Sequence, residues 1–184
     1  MSITWEEQVK DLISLKECAE DMGMKAEVVP HAGKEKNPAL SIELPLGSSG
    51  KERTLVCCFL PLEEDQSQFC KYLQMYIELA SPLPDEDMPV VLLLINQINQ
   101  ILSVGQCFWR MGNDEEGLPG AIGIRYTLAT PLDSPVDDGC FGESIILMAD
   151  AFDFLDYVLE ASKDKEKAKE LLENMERTIQ EALL

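Results

Sequence analysis

A nucleophilic relay of the Ser–His–Asp or Cys–His kind needs an imidazole base, and this chain of 184 residues has one histidine, His31. It follows Pro30 at what reads as the end of a strand, with no cysteine near it in sequence, so an ordinary surface or half-buried role is expected. The six cysteines are Cys18, Cys57, Cys58, Cys70, Cys107 and Cys140, and no two form a CxxC pair. Cys57-Cys58 sits inside an apolar run, where adjacent side chains of a strand point to opposite faces. His/Cys ligation at zinc spacing is absent. The N-terminus shows no apolar signal core and no run approaches membrane-spanning length, so reduced thiols in the cytoplasm are expected.

Oxygen chemistry has more material. The stretch Asp133-Ser-Pro-Val-Asp-Asp-Gly-Cys-Phe-Gly-Glu143 carries ligands of the type Ca²⁺ takes, but not in EF-hand order. Pro135 occupies the third place, and Asp138 stands where the loop's glycine belongs. A solvated loop entering a helix explains these acids; a small metal-dependent hydrolase using the acidic loop 133–143 is the alternative. Asp114, Glu115 and Glu116 read as a wet hairpin tip. Gly117-Leu-Pro-Gly-Ala-Ile-Gly123 is rich in glycine but opens a strand, whereas phosphate cradles use backbone N–H groups at a helix N-terminus. No carboxylate pair stands out for acid–base work. No catalytic residue, metal or cofactor is expected.

The formal net charge is −19. Between Tyr72 and Ser162 there are 15 acids and two bases, Arg110 and Arg125. Such a balance repels phosphate backbones and anionic lipid, so neither nucleic acid nor membrane is expected as a partner. Basic segments and divalent cations are the partners that field favours; an acidic antitoxin or immunity-type protein would also suit it.

Elements follow from periodicity. Thr4 caps a first helix, with Glu6 and Glu7 in its first turn and Gly23 as its stop. Three strands are predicted at 25–31, 39–44 and 53–60. A helix is predicted over 64–80, with Phe69, Tyr72, Leu73, Tyr76, Ile77 and Ala80 on one face, then another over 89–102. Strands at 105–111 and 121–129 make a hairpin, and helices at 143–161 and 165–183 complete the chain. Strands that come in runs point to α+β with an antiparallel sheet of about five strands in a single domain. The order is helix, three strands, two helices, two strands, two helices.

Two helices have more apolar surface than one sheet can cover. In the helix over 89–102, Val91, Leu94, Ile95, Ile98, Ile101 and Leu102 form one face, while Leu92 and Leu93 lie with the amides Asn96, Gln97, Asn99 and Gln100. In the helix over 143–161, Phe154 and Val158 belong to an apolar surface that leaves only a narrow stripe for Asp150, Asp153, Asp156 and Glu160. A helix on one face of a sheet needs roughly a third of its circumference apolar, so a further layer is expected over both. On the strand Gly105 to Met111, Cys107, Trp109 and Met111 share one side and Phe108 and Arg110 the other. Phe108, Trp109 and Arg110, with Leu92, Leu93, Phe154 and Val158, are the candidate partner-binding residues, since Trp and Arg are enriched at binding hot spots.

The run LLINQINQILSVGQCFWR and the return IGIRYTLATPL, followed by a long acidic and apolar helix, resemble the second half of the YbjN-like family of bacterial proteins, which share the fold of type III secretion chaperones. Asn96, Asn99, Gly105, Arg125 and Tyr126 match that family's pattern, and the layout extends from Thr4 to Ala161. Departures are the helix over 64–80 and the added C-terminal helix, within 163–184. The resemblance implies a secretion-chaperone-like fold and a non-enzymatic, chaperone-like module that binds protein or peptide, with a homodimer as one arrangement; it supplies no catalytic residues.

Overall fold

A computed structural model describes residues 3–32, 37–47, 50–62, 69–80, 88–112 and 120–182. It contains α1 (Trp5–Asp21), β1 (Lys25–Ala32), β2 (Asn37–Leu44), β3 (Arg53–Phe59), β4 (Cys70–Ala80), α2 (Met88–Ile101), β5 (Gln106–Arg110), β6 (Ala121–Pro131), α3 (Asp138–Ser162) and α4 (Lys165–Ala182). The six strands form one antiparallel sheet in the order β1-β2-β3-β4-β6-β5. The α+β class and antiparallel sheet follow the sequence reading; six strands replace about five.

The extra strand is the correction. Of the helix predicted over 64–80, residues 64–68 lie outside the described residues, and Cys70–Ala80 is a strand, β4. The segment carries both periodicities. Phe69, Tyr72, Leu73 and Tyr76 recur at helical spacing, yet the buried residues are Lys71, Leu73, Met75 and Ile77, spaced by two. β4 pairs along its whole length with β6, from Cys70 opposite Pro131 to Ala80 opposite Ala121, and its other edge pairs with β3. Aromatic and β-branched residues pack well on a pleated surface, and a central strand satisfies its backbone on both sides.

α1 begins as the sequence implies. The Thr4 hydroxyl accepts from the Glu7 amide at 3.2 Å, and the Glu7 carboxylate accepts from the Thr4 amide at 2.8 Å, a reciprocal capping box. Those hydrogen bonds hold the Glu7 carboxyl below its ordinary pKa, the backbone one first. Gly23, at φ 84°, turns the chain out of the helix in the left-handed region that glycine tolerates.

One face of the sheet is dry. Leu40 and Ile42 of β2, Leu55, Cys57 and Phe59 of β3, Leu73, Met75 and Ile77 of β4, and Ile122 and Ile124 of β6 are buried in register across the strands. α1 packs over β1 and β2, α3 over β6, and α2 beside β5. The last helix lies against both α2 and α3, burying its own Ala168 and Met175. It supplies part of the further layer: Val91 and Val158 are 1% and 0% exposed. It does not reach Leu92 and Leu93, which stay 44% and 47% exposed, so the expected coverage of that helix's first turns is incomplete.

Three ion pairs cross between layers. Lys71, on the dry side of β4, meets Asp11 of α1 and lies 6.0 Å from the centroid of the Phe59 ring. Arg53, at the dry-side start of β3, bonds Asp153 of α3 at 2.7 Å, the Ala149 carbonyl at 3.2 Å and the Pro45 carbonyl at 2.7 Å. Lys51 reaches the buried Asp156 at 2.6 Å. Removing one partner of a buried pair strands a charge and costs more than the pair contributes. Asp11→Ala is expected to lower unfolding free energy by about 3 kcal/mol, whereas Asp11→Leu combined with Lys71→Met returns to within about 1 kcal/mol of the parent. Urea denaturation of the three chains checks both values.

Candidate interaction surface

Of the seven candidate residues, Leu92 and Leu93 lie on α2 and Phe108, Trp109 and Arg110 on the edge strand β5, which α2 runs beside. Asn99, on the solvent side of α2, caps that edge: the Cys107 amide donates to Asn99 Oδ1 at 2.7 Å, and Asn99 Nδ2 donates to the Cys107 carbonyl at 3.2 Å. A side-chain amide thus takes the place that a seventh strand would fill. Outward backbone groups recur every second residue of an antiparallel edge, so Trp109 is the next position along. Gly105 makes the approach, at φ 80°, and a Cβ there would meet Ile124 Cγ2 at 3.0 Å and the Arg125 carbonyl at 3.1 Å. Asn99 and Gly105, two of the residues that carried the family resemblance, therefore serve one local task.

Leu92 lies seven residues before Asn99, on the same stripe of α2 two turns earlier. It is exposed together with Leu93, and Met111, just past β5, is 70% exposed. Trp109 points to the helix side and packs half-buried against the core, while Phe108 and Arg110 point to the other face. The Phe108 ring covers Gly123, where a Cβ would fall 3.0 Å from two of its ring atoms. Arg110 bonds Glu78 at 2.9 Å. The structure does not bring Phe154 and Val158 to this corner. Phe154 is half-buried against the core, and Val158 is fully buried, so as a binding residue it has no accessible surface.

The second face of the sheet carries no described helix. Val56, Cys58, Tyr72, Gln74 and Tyr76 are half-buried there, and Arg125, Thr127 and Ala129 are exposed. Sequence reasoning missed this surface because it placed Tyr72 and Tyr76 on a helix.

Chemistry finds little footing. None of the six cysteines is in a disulfide. Burial pushes the Cys107 thiol up to about 12 and the Cys57 thiol higher still, so neither is a thiolate near neutral pH. In the acidic loop, Asp137 caps α3, accepting from the Cys140 amide at 2.7 Å, and that bond lowers its pKa. Among the described residues no group of three or more His, Cys, Asp or Glu is placed to hold a metal ion. The hairpin tip 114–116 and the glycine-rich stretch up to Pro119 lie outside the described residues, as does the side chain of His31. No described helix is long and apolar enough to cross a membrane.

No family model, curated protein or solved structure matches this chain.

Asn99→Ala removes both bonds to Cys107 at once. The expected loss is about 1–2 kcal/mol of stability, and exchange of the Cys107 amide is expected to rise roughly tenfold. Hydrogen–deuterium exchange resolved to β5 measures it.

Proposed function

We propose that this chain is a non-enzymatic protein-interaction module, chaperone-like in the sense its resemblance to the YbjN-like family implies, acting in the cytoplasm on a protein or peptide partner. The observation that carries the reading is the corner where Leu92, Leu93 and Met111 stand exposed beside Trp109, at an edge already stopped by Asn99. Exposed aliphatic side chains each contribute roughly 1.5–3 kcal/mol on full burial, and an apolar patch next to a tryptophan has the composition of a binding hot spot. Asn99 closes the nearest backbone pair, so the partner is held by side chains rather than as an added strand.

Acidity shapes the approach. Most carboxylates sit on the helix side and in the loops, so a partner with basic flanks is drawn in and seated by an apolar segment. Six cysteines outside any disulfide fit a reducing compartment.

The test uses the full chain as bait in its native cytosol, beside Leu92→Asp/Leu93→Asp. Both leucines are exposed, so the double variant keeps its melting temperature. The expected result is a partner captured in stoichiometric amount by the parent and lost with the variant. Capture that ignores the substitution contradicts the docking corner. A rise of several degrees in melting temperature with Ca²⁺, Mg²⁺ or Mn²⁺ would favour the metal-dependent alternative instead.

A further inference from the structure

We infer that the groove between the first turns of α2 and α4 binds a free aliphatic carboxylate of medium chain length, its tail between the two helices and its head group on Lys165 and Lys169. The groove lies on the flank of α2 opposite Leu92. It stands or falls separately from whatever docks at the α2–β5 corner.

The groove follows from how α4 packs. Val91 and Ala168 are buried at its base, and the exposed Val90 and half-buried Leu172 border it. Ala168 has the smallest of these side chains, so the two helices meet across it without filling the space alongside, and about 270 Å³ stays open. None of the 14 residues of α2 is charged, so that wall contributes no ion to the groove.

Charge selects the class of ligand. Residues 163–169 read Lys-Asp-Lys-Glu-Lys-Ala-Lys, four lysines against two acids, on a chain whose net charge is −19. Lys165 and Lys169, one turn apart, border the groove on the flank of α4 that also carries Leu172. Glu166 and Glu170 lie further round that helix. Asp164 is spent on the helix start, where it accepts from the Glu166 and Lys167 amides at 3.0 and 3.3 Å. Lys169 comes within 3.9 Å of Glu173 with both side chains largely exposed, a contact that holds little energy. Lys165 has no ion-pair partner among the described residues. The Ser162 hydroxyl already donates to the Leu159 carbonyl at 2.8 Å, which leaves the two ammonium groups as the side-chain donors here. The first turn of α2 adds the positive end of its dipole.

An apolar trough with a positive mouth fits an amphiphile with a negative head. Small-molecule pockets run from roughly 300 Å³ upward, so this one takes a small ligand. A methylene fills about the 30 Å³ that a water takes in the liquid, so the groove holds roughly nine carbons. A two-chain lipid has no room in it, and a cationic head finds no counterion at its mouth.

Titration of the full chain with sodium octanoate, followed by methyl NMR, is expected to give saturable shifts at Val90, Val91, Ala168 and Leu172 with a Kd of about 1 mM or tighter. From hexanoate to decanoate, Kd is expected to fall roughly twofold to threefold per methylene, with little further gain at dodecanoate. Octan-1-ol is expected to bind at least roughly fivefold more weakly. Octylammonium is expected to leave these four residues unshifted, although the net charge draws cations elsewhere. Lys165→Glu/Lys169→Glu and, separately, Val90→Asp change exposed positions, so both keep the parent melting temperature; each is expected to raise the octanoate Kd roughly fivefold or more. Absence of a saturable shift up to about 10 mM octanoate overturns the inference. So does octan-1-ol or octylammonium binding as tightly at the same residues, or an unchanged Kd in both variants. Shifts at the groove that follow protein concentration and not octanoate overturn it too, and assign the groove to a second copy of the chain.

Discussion

A six-stranded sheet can be dried on one side by a layer of helices, and that single requirement places nearly every element here. Leu40, Leu55, Ile77 and Ile124 fall on the same side because strand parity puts them there, and cross-strand register keeps them in line. α1, α2 and α3 then differ only in which strands they cover. The boundary is not wholly apolar. Lys71 and Arg53 occupy dry-side positions, and each is tolerated because a carboxylate from the opposing helix meets it. Such pairs fix which helix lies over which strand, since a slipped helix would leave the cation buried and alone.

The one-sided arrangement also sorts charge. Helices expose long polar faces to water, so the surplus of acid collects on them, and the sheet face opposite is left with small, aromatic and balanced side chains. A strongly acidic molecule thereby keeps one neutral surface. The corner beside β5 has another origin: α2 begins apolar on all sides, α4 covers Val91 and packs along the helix, and Leu92 and Leu93 are left over. Both surfaces are residues of the same packing problem, one solved on a single side and one solved partway round a helix.

Much of this was legible in the sequence. The capped start of α1, the alternation of Ala39 to Leu44, the hairpin of β5 and β6 and the two final helices all carry local signals that agree with their tertiary setting. Cys70–Ala80 did not, because its aromatic and aliphatic residues satisfy a spacing of four as well as a spacing of two. Lys71 was the discriminating residue: on a helix it would face water, and only a partner from α1 makes it a core residue. Asp153 and Asp156 read as a wet stripe for the same reason, since the sequence does not reveal Arg53 and Lys51 across the layer. Of the candidate surface, Leu92, Leu93, Trp109 and Arg110 were identifiable by composition, whereas Val158 was not separable from them without knowing where α4 lies. The open face, built from alternate residues of six strands, had no local signature.

Adjacent cysteines offer a direct reading of sidedness. Cys57 lies in the core and Cys58 on the open face, one residue apart in the same strand, so neighbouring sequence and backbone dynamics are shared. Alkylation of the folded chain in dilute solution near pH 8, with each site quantified by fragment mass spectrometry, compares them under identical conditions. A sheet covered on one side predicts modification of Cys58 roughly a hundredfold faster than of Cys57, whose thiol is both buried and harder to ionise. Equal rates, or faster reaction at Cys57, would contradict a one-sided sheet.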